Sequence, residues 1–173
     1  MKIPLLVLRQ SLLPLPEIGT FDADVLRLRV WLGDVDFNFH LNNARYLSVM
    51  DYGRMHLLAR GGLLKPILKE RWVPIVGGVW ITYRRSLALG ARYELATRLV
   101  CWDSRWFYME QTFTGANGLV AVGWVKGALL NGSGAVSPQR VLDMVRPGLV
   151  SPELPESIAM LNELTREKLS GAR

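Results

Sequence analysis

The stretch ARYLSVMDYGRMHLLAR, residues 44–60, determines the architecture that we expect. It contains no proline, and it ends at Gly61 and Gly62, which are typical of a helix C-cap. Apolar side chains cover more than one stripe of the predicted helix: Tyr46, Leu47, Val49, Met50, Met55, Leu57 and Leu58. Such a helix must be covered by other elements, so the rest of the chain has to supply a wrapping surface.

Strands are predicted on both sides of this helix. ADVLRLRVWL, residues 23–32, alternates strictly, which predicts a half-buried strand with Leu26, Leu28, Val30 and Leu32 on one face and Arg27 and Arg29 on the other. Four β-branched or aromatic segments follow the helix: VPIVGGVWITYRRS, ARYELATRLVCW, RWFYMEQTFT and LVAVGWVKGALL. The links Asp103-Ser104 and GANG, residues 115–118, are typical of hairpins. We therefore expect a four-strand antiparallel meander after the helix.

The carboxyl-terminal part predicts helices. Ser137-Pro138 is typical of an N-cap followed by proline at the first helical position, and a final amphipathic helix is predicted to start near Glu156. The element order predicts a single α+β domain, in which an antiparallel sheet of about five to six strands wraps around one long central helix. Its core covers about residues 22–130, and residues 131–173 form an accessory helical tail.

Composition narrows the classes of function. The chain has 173 residues, 50% of them hydrophobic, and a net charge of +6, which favours anionic partners. Its 21 lysines and arginines are scattered, so we expect no nucleic-acid partner. Cys101 is the only cysteine and there are two histidines, which disfavours a metal site and suggests a reducing compartment. Pro4 and Arg9 interrupt the first apolar run, and no segment reaches the ~20 apolar residues of a membrane span, so we expect a soluble, cytoplasmic protein.

A cluster of polar residues precedes the helix. Asp36, His40, Asn42, Asn43 and Tyr46 form the pattern D-x-x-x-H-x-N-N-x-x-Y between the first strand and the helix. This pattern, in this order of elements, resembles the hotdog-fold acyl-CoA thioesterases of the 4-hydroxybenzoyl-CoA thioesterase-like superfamily. The resemblance covers roughly residues 22–130 and leaves out the tail.

The resemblance implies that Asp36 is the catalytic residue of a thioesterase. A carboxylate can attack a thioester carbonyl directly, or it can take a proton from an attacking water. The developing oxyanion needs donors, and backbone N–H groups at a helix N-terminus can supply them. No metal or other cofactor is implied, because coenzyme A is part of the substrate. In related folds the site lies at a subunit boundary.

Other residues of the motif are expected to support or shape the site. His40 is expected to orient its neighbours, Asn43 to cap the helix, and Asn42 to form the turn before it. Tyr46 is expected in the core or the pocket wall. Phe39 stands where many relatives have glycine, which would allow close approach of the acyl group. Phe39 therefore either reshapes the pocket or signals lost turnover.

Arginines are candidates for contact with the coenzyme A phosphates. Arg84, with its neighbour Arg85, follows a predicted strand, and Arg105 follows a hairpin; for each, a solvated side chain is the simpler interpretation. Trp80, Trp106 and Phe107 are expected in the core or a dimer interface.

Two alternatives to the thioesterase remain open. One is a non-catalytic acyl-binding module that keeps the fold, which Phe39 would suit. The other is an enoyl-CoA hydratase, because GDVDFNFH approaches a G-D-x-N-x-x-H pattern, although Phe39 stands at the histidine position. We also expect aliphatic acyl substrates. A homodimer or dimer of dimers is expected as well, because a single meander leaves unpaired strand edges.

Overall fold

The computed structural model describes residues 18–170. These residues form six strands: β1 Asp24–Arg29, β2 Val73–Tyr83, β3 Arg92–Trp102, β4 Phe107–Gly115, β5 Gly118–Asn131 and β6 Gly134–Val136. They also form four α-helices, α1 Asn43–Arg60, α2 Leu64–Lys69, α3 Pro138–Asp143 and α4 Glu156–Ser170, and a 3-10 turn at Leu32–Asp34. Pro4 and Arg9 lie outside the described residues.

The six strands form one antiparallel sheet in the order β1-β3-β4-β5-β2, and β6 pairs with the end of β5. Three of the four strands predicted after the helix, β3, β4 and β5, form an antiparallel meander. The prediction that all four strands form it is wrong, because β2 pairs with β5 and not with β3, its neighbour in the chain. Gly118 has φ of +88°, as the predicted Asn-Gly hairpin requires. The α+β hotdog fold is confirmed.

The core lies between α1 and the inner face of the sheet. Tyr46, Val49 and Met50 of α1 are buried against Leu95 of β3 and Phe113 of β4. Full burial of such a side chain contributes roughly 1.5–3 kcal/mol. This packing is the main reason why the helix predicted from residues 44–60 holds its position on the sheet.

The helix comes closest to the sheet at Gly53. A Cβ atom on this residue would lie 2.6 Å from Thr97 Oγ1, 2.8 Å from Leu95 Cδ2 and 2.9 Å from Gln111 Nε2. Gln111 Nε2 in turn donates hydrogen bonds to Met50 O and Thr97 Oγ1, both at 2.9 Å. The backbone of α1 can approach the sheet and accept this bond only because residue 53 has no side chain.

A buried ionisable cluster joins α1 to β1. His56 Nδ1 lies 2.5 Å from Asp24 Oδ2, and Arg60 Nη1 donates to Asp24 Oδ1 at 2.8 Å. Asp24 and His56 are both almost completely buried. Buried charges of this kind are tolerated only when they are paired, so the cluster fixes the carboxyl-terminal half of α1 to the first strand.

A second predicted detail of the fold is wrong. Leu32 was expected on the buried face of the first strand, but it is 70% exposed, because β1 ends at Arg29 and the chain turns at Leu32–Asp34. The helix α1 packs on the sheet as predicted, and within residues 18–170 two of its apolar side chains, Leu47 and Met55, stay 41% and 39% exposed.

The last helix of the tail, α4, packs on the outer face of the sheet. Ile158 of α4 is buried with Cys101 and Tyr108, and Asn162 Nδ2 donates to Tyr108 Oη at 2.9 Å. The predicted start of this helix at Glu156 is confirmed, and Pro138 begins α3 as predicted, although the Ser137 side chain makes no capping hydrogen bond. Among residues 18–170, no helix is both long enough and apolar enough to span a membrane.

Replacement of Gly53 by alanine tests the close contact of α1 with the sheet. Gly53→Ala should lower the free energy of unfolding by roughly 1–3 kcal/mol, because a methyl group overpacks the contact with Thr97 and Gln111. Gly132→Ala is the matched control, since its Cβ would meet no atom within 4 Å, and it should change stability by less than about 0.5 kcal/mol. Urea denaturation measures both; equal stabilities would contradict the close contact.

Candidate functional site

Asp36 lies in a tight loop between the 3-10 turn and α1. Val35 pairs with Leu41, Asp36 N donates to His40 O at 2.9 Å, and Phe39 N donates to Asp36 O at 3.1 Å. The Asp36 side chain is held in the same loop, because its Oδ1 accepts from Asn38 N at 2.9 Å and from His40 N at 3.3 Å. The carboxylate is half-buried and has a fixed orientation.

The segment before β3 fastens this loop to the sheet. Leu41 N donates to Leu87 O at 2.8 Å, and Leu89 N donates to Phe39 O at 2.9 Å. His40 forms an isolated antiparallel bridge with Ala88. The backbone of His40 therefore helps to position Asp36, and the role of its imidazole stays a prediction.

The helix is capped by Asn42 and not by Asn43. Asn42, with φ of −61° and ψ of 137°, is the N-cap, and its Oδ1 accepts from Ala44 N at 2.9 Å. The prediction that Asn43 caps the helix is wrong, because Asn43 is the first helical residue and a cap residue needs non-helical backbone angles. The Asn43 carbonyl accepts from Tyr83 Oη at 3.3 Å, which joins the start of α1 to the end of β2.

Asp34 is a second acid of the motif, and its partners differ from those of Asp36. It is buried, and its Oδ1 accepts from Arg45 Nε at 3.0 Å and Arg45 Nη2 at 2.8 Å. Its Oδ2 accepts from Trp31 N at 3.1 Å. Asp34 thus ties the 3-10 turn to the first turn of α1. Sequence reasoning did not identify Arg45; its spacing of eleven residues from Asp34 gives no local signal.

Phe39 adopts a left-handed backbone conformation, with φ of +56°. This conformation costs a non-glycine residue on the order of 1–2 kcal/mol. The turn itself would therefore favour glycine at this position. The effect of Phe39 on the acyl group stays a prediction. The ring of Phe39 is 63% exposed.

Tyr46 is a core residue. It is 2% exposed and packs edge-on against Tyr83 and Phe113, with ring centroids 5.0 and 4.9 Å away. Burial, and secondarily the neighbouring Tyr83, raises the pKa of Tyr46 to about 12. The hydroxyl therefore stays protonated at neutral pH.

The candidate arginines lie at different places. Arg84 is exposed just after β2, close to the contact between Tyr83 and Asn43, and its backbone N donates to Val120 O at 2.8 Å. Arg85 Nη1 donates to Leu119 O at 2.9 Å. Arg105 lies in the hairpin between β3 and β4, with its Cζ atom 4.9 Å from the ring of Trp106. At this end of β2, it is the preceding residue, Tyr83, that contacts the start of α1. A role of Arg84 or Arg105 at the phosphates stays a prediction.

An apolar cavity lies beside the carboxyl-terminal half of α1. It encloses about 290 Å³ and is lined mainly by α1, by the start of β2, by the end of β5 and by α3. The polar lining side chains include Asp51 and Arg54, which form an ion pair, and Arg54 Nη1 also donates to Gln111 Oε1 at 2.8 Å. Burial lowers the pKa of Arg54, and the nearby Asp51 carboxylate opposes this shift. None of the predicted site residues lines the cavity, and sequence reasoning missed Asp51 and Arg54.

Among residues 18–170, no group of three or more histidine, cysteine, aspartate or glutamate side chains is arranged to hold a metal ion.

Replacement of Phe39 by glycine or by alanine separates backbone strain from the loss of the ring. Both variants remove the exposed ring, but only glycine removes the Cβ atom that disfavours a positive φ. We expect Phe39→Gly to be more stable than Phe39→Ala by about 1 kcal/mol in urea denaturation. An alanine variant as stable as the glycine variant would show that the loop does not hold residue 39 in this conformation.

Comparison with known proteins agrees with this fold. The family model of the thioesterase-like superfamily matches residues 30–159. Protein THEM6 of Danio rerio is 39% identical over 123 residues, which are 70% of this chain and 59% of that protein. The chain thus spans about three fifths of the length of the first curated relatives that it matches.

Two solved structures resemble the chain in fold. A probable thioesterase from Bartonella henselae has a TM-score of 0.61 at 24% identity, covering 66% of this chain and 98% of that one. The protein SAV2348 from Staphylococcus aureus, solved in complex with CoA, has a TM-score of 0.65 at 16% identity, covering 82% of this chain and 95% of that one. The family match extends over most of the described residues and includes the whole Asp36 loop. The chain belongs to the thioesterase-like superfamily.

Proposed function

We propose that the chain is an acyl-CoA thioesterase in which Asp36 is the nucleophile or the general base. The observation that carries the proposal is the carboxylate of Asp36, oriented by two backbone N–H groups in a loop that leads directly into α1. Its sequence context is that of a member of the thioesterase-like superfamily. The products are a carboxylic acid and free coenzyme A.

The proposed chemistry uses groups at the start of α1. Asp36 either attacks the thioester carbonyl or takes a proton from a water that attacks it. The carbonyl oxygen becomes negative, and N–H groups at a helix N-terminus are suited to stabilise it. The carbon–sulfur bond then breaks, and the coenzyme A thiolate takes up a proton. If Asp36 attacks directly, water hydrolyses the resulting anhydride in a second step.

The contacts of Asp34 argue against the hydratase alternative. In the G-D-x-N-x-x-H interpretation Asp34 would be the catalytic acid, but both of its oxygens accept hydrogen bonds, from Arg45 and from Trp31 N. The positive φ of Phe39 would suit glycine better, so the conformation of the turn favours neither the catalytic nor the non-catalytic interpretation of this residue. We therefore keep the thioesterase as the single proposed function.

A homodimer is part of the proposal, because one long edge of the sheet has no partner strand within residues 18–170. Pairing in the sheet order ends at β2. Large apolar side chains along β2 are exposed: Val73, Val76, Val79, Trp80 and Tyr83. An unpaired apolar edge strand of eleven residues is a template for association, and a second copy can cover it.

Antiparallel pairing of two β2 strands would join the carboxylate of one copy to the cavity of the other. The Tyr83 end of β2 lies beside the start of α1, through the contact between Tyr83 and Asn43. The opposite end of β2 supplies Pro74, Ile75 and Val76 to the apolar cavity. In such a dimer the two ends meet across the interface, so each cavity would face an Asp36 loop of the partner subunit.

The apolar lining of the cavity suggests which kind of acyl group it binds. Most of its lining side chains are aliphatic, so we propose an aliphatic acyl chain as substrate. Coenzyme A as the carrier is suggested by the CoA complex of the Staphylococcus aureus protein. The single cysteine, Cys101, is buried and free, which suits a reducing compartment such as the cytoplasm.

The first test replaces Asp36 by asparagine. Asp36→Asn keeps an oxygen for the hydrogen bonds from Asn38 N and His40 N but removes the charge, so kcat for an acyl-CoA should fall by at least ~100-fold with little change in melting temperature. Asp34→Asn should have the opposite effects. Its melting temperature should fall, because Arg45 loses its ionic partner, and its kcat should change little. A stable Asp36→Asn enzyme with normal thiol release would refute the catalytic role.

The second test addresses assembly along β2. Light scattering should give twice the chain mass of 19.5 kDa at micromolar concentration. Val79→Lys places a charge on the edge strand and should favour the monomer and reduce turnover, whereas Val150→Lys, at a residue already 80% exposed, should do neither. A wild-type monomer that hydrolyses acyl-CoA would disprove the shared site.

A further inference from the structure

A second concave surface lies on the outer face of the sheet, where β1, β3 and the end of β4 meet. We name it the arginine groove and define it by Arg27, Arg29, Trp31, Arg92, Glu94 and Thr114. It encloses about 640 Å³, which is within the usual range of small-molecule sites. It shares no lining residue with the apolar cavity beside α1.

The strand register places two positive charges opposite each other in this groove, and no ion pair joins either of them to another of the residues that the structure describes. Arg29 of β1 stands directly opposite Arg92 of β3, an arrangement that destabilises a sheet unless an anion lies between the charges. The neighbouring pair is neutral, because Arg27 Nε donates to Glu94 Oε1 at 2.9 Å. Glu94 is the only acid among the described residues that line the groove, and this contact already engages it.

Arg29 is held in a position to bind a ligand. Its Nε donates to Gly90 O at 2.9 Å, which fixes the guanidinium while its terminal nitrogens can still donate. The Cζ atom lies 6.0 Å from the centre of the Trp31 ring. Trp31 is itself 48% exposed, so an aromatic surface and a fixed guanidinium stand side by side.

The groove adjoins the Asp36 loop through one short segment, residues 87–91. Leu89 N donates to Phe39 O in the Asp36 loop. Gly90 N donates to Val30 O, and Gly90 O accepts from Arg29 in the groove. A long flexible ligand could therefore occupy the groove with one end and reach towards the loop with the other.

We infer that the arginine groove binds a phosphorylated adenosine, with phosphate oxygens on Arg29 and Arg92 and the base stacked on Trp31. Guanidinium groups match phosphate in both charge and geometry, and indole rings stack on purines. The inference rests on the proposed function for the identity of the ligand, which is then the nucleotide end of coenzyme A. These arginines differ from Arg84, the residue that the sequence suggested for the phosphates.

The direct test is binding of adenosine 3′,5′-bisphosphate, measured by calorimetry, because it needs no catalytic activity. The wild type should bind it more tightly than inorganic phosphate, since only the nucleotide can also stack on Trp31. Arg29→Gln with Arg92→Gln should weaken binding by about tenfold or more, as expected when a phosphate loses charged hydrogen-bond donors. Arg92→Gln alone keeps the bond from Arg29 to Gly90 and serves as a second variant if the double variant is unstable.

The matched control removes the same charge elsewhere. Lys65→Gln with Lys69→Gln changes two exposed residues of α2 that do not line the groove, and it should bind the nucleotide like the wild type. If both double variants lost the same nucleotide affinity, the loss would be an effect of net charge, and the inference would be overturned. Absence of nucleotide binding by the wild type would overturn it as well.

Kinetics connect the groove to the substrate. The arginine variants should raise KM for an acyl-CoA and leave its kcat unchanged, and they should not affect hydrolysis of the matching acyl-pantetheine, which has no nucleotide. If the arginines affect nucleotide binding but neither ester is hydrolysed, the groove is a nucleotide site and the proposed function is wrong. If acyl-CoA is hydrolysed with a KM that does not depend on the arginines, the groove is not its nucleotide site.

Discussion

The close contact between α1 and the sheet at Gly53 is the constraint on which the rest of the structure depends. It lets Met50 O accept a hydrogen bond from Gln111, whose Nε2 also donates to Thr97 and whose Oε1 accepts from Arg54. The polar groups at the centre of the core are therefore bonded to each other, which avoids the cost of burying them alone. This contact sets how far the helix stands from the strands. It thereby sets the width of the cavity beside α1 and the position of the loop that enters the helix.

The fold could be predicted from the sequence because its signals are local. A proline-free run ending in two glycines marks α1, and alternation of apolar side chains marks the strands. The misplaced residues are those where a neighbouring turn decides the conformation. Leu32 continues the alternation of β1 but lies in a 3-10 turn. Asn42 takes the capping position that was predicted for its neighbour Asn43. Residue types alone cannot distinguish two helix starts that differ by one residue.

The candidate site could be predicted only in part, because its most informative contacts join distant parts of the chain. The motif identifies Asp36 in the sequence. What distinguishes Asp36 from Asp34 in the structure is the ion pair of Asp34 with Arg45, and the sequence gives no signal of that pair. The same is true of Asp24 and His56, which are 32 residues apart. The opposed arginines 29 and 92 depend on strand register, which one misplaced residue would alter. The positive φ of Phe39 likewise follows from the hydrogen bonds around the loop and not from the residue itself.

The position of β2 in the sheet has a consequence for biosynthesis. β2 precedes β3, β4 and β5 in the chain, yet it pairs with β5, which is the last of the long strands to be made. On the ribosome, the apolar segment VPIVGGVWITY emerges early and has no backbone partner until the meander is complete. Pairings between distant segments form slowly, and a strand is prone to aggregate until it has paired. This one segment therefore stays open to aggregation for longer than the three strands of the meander.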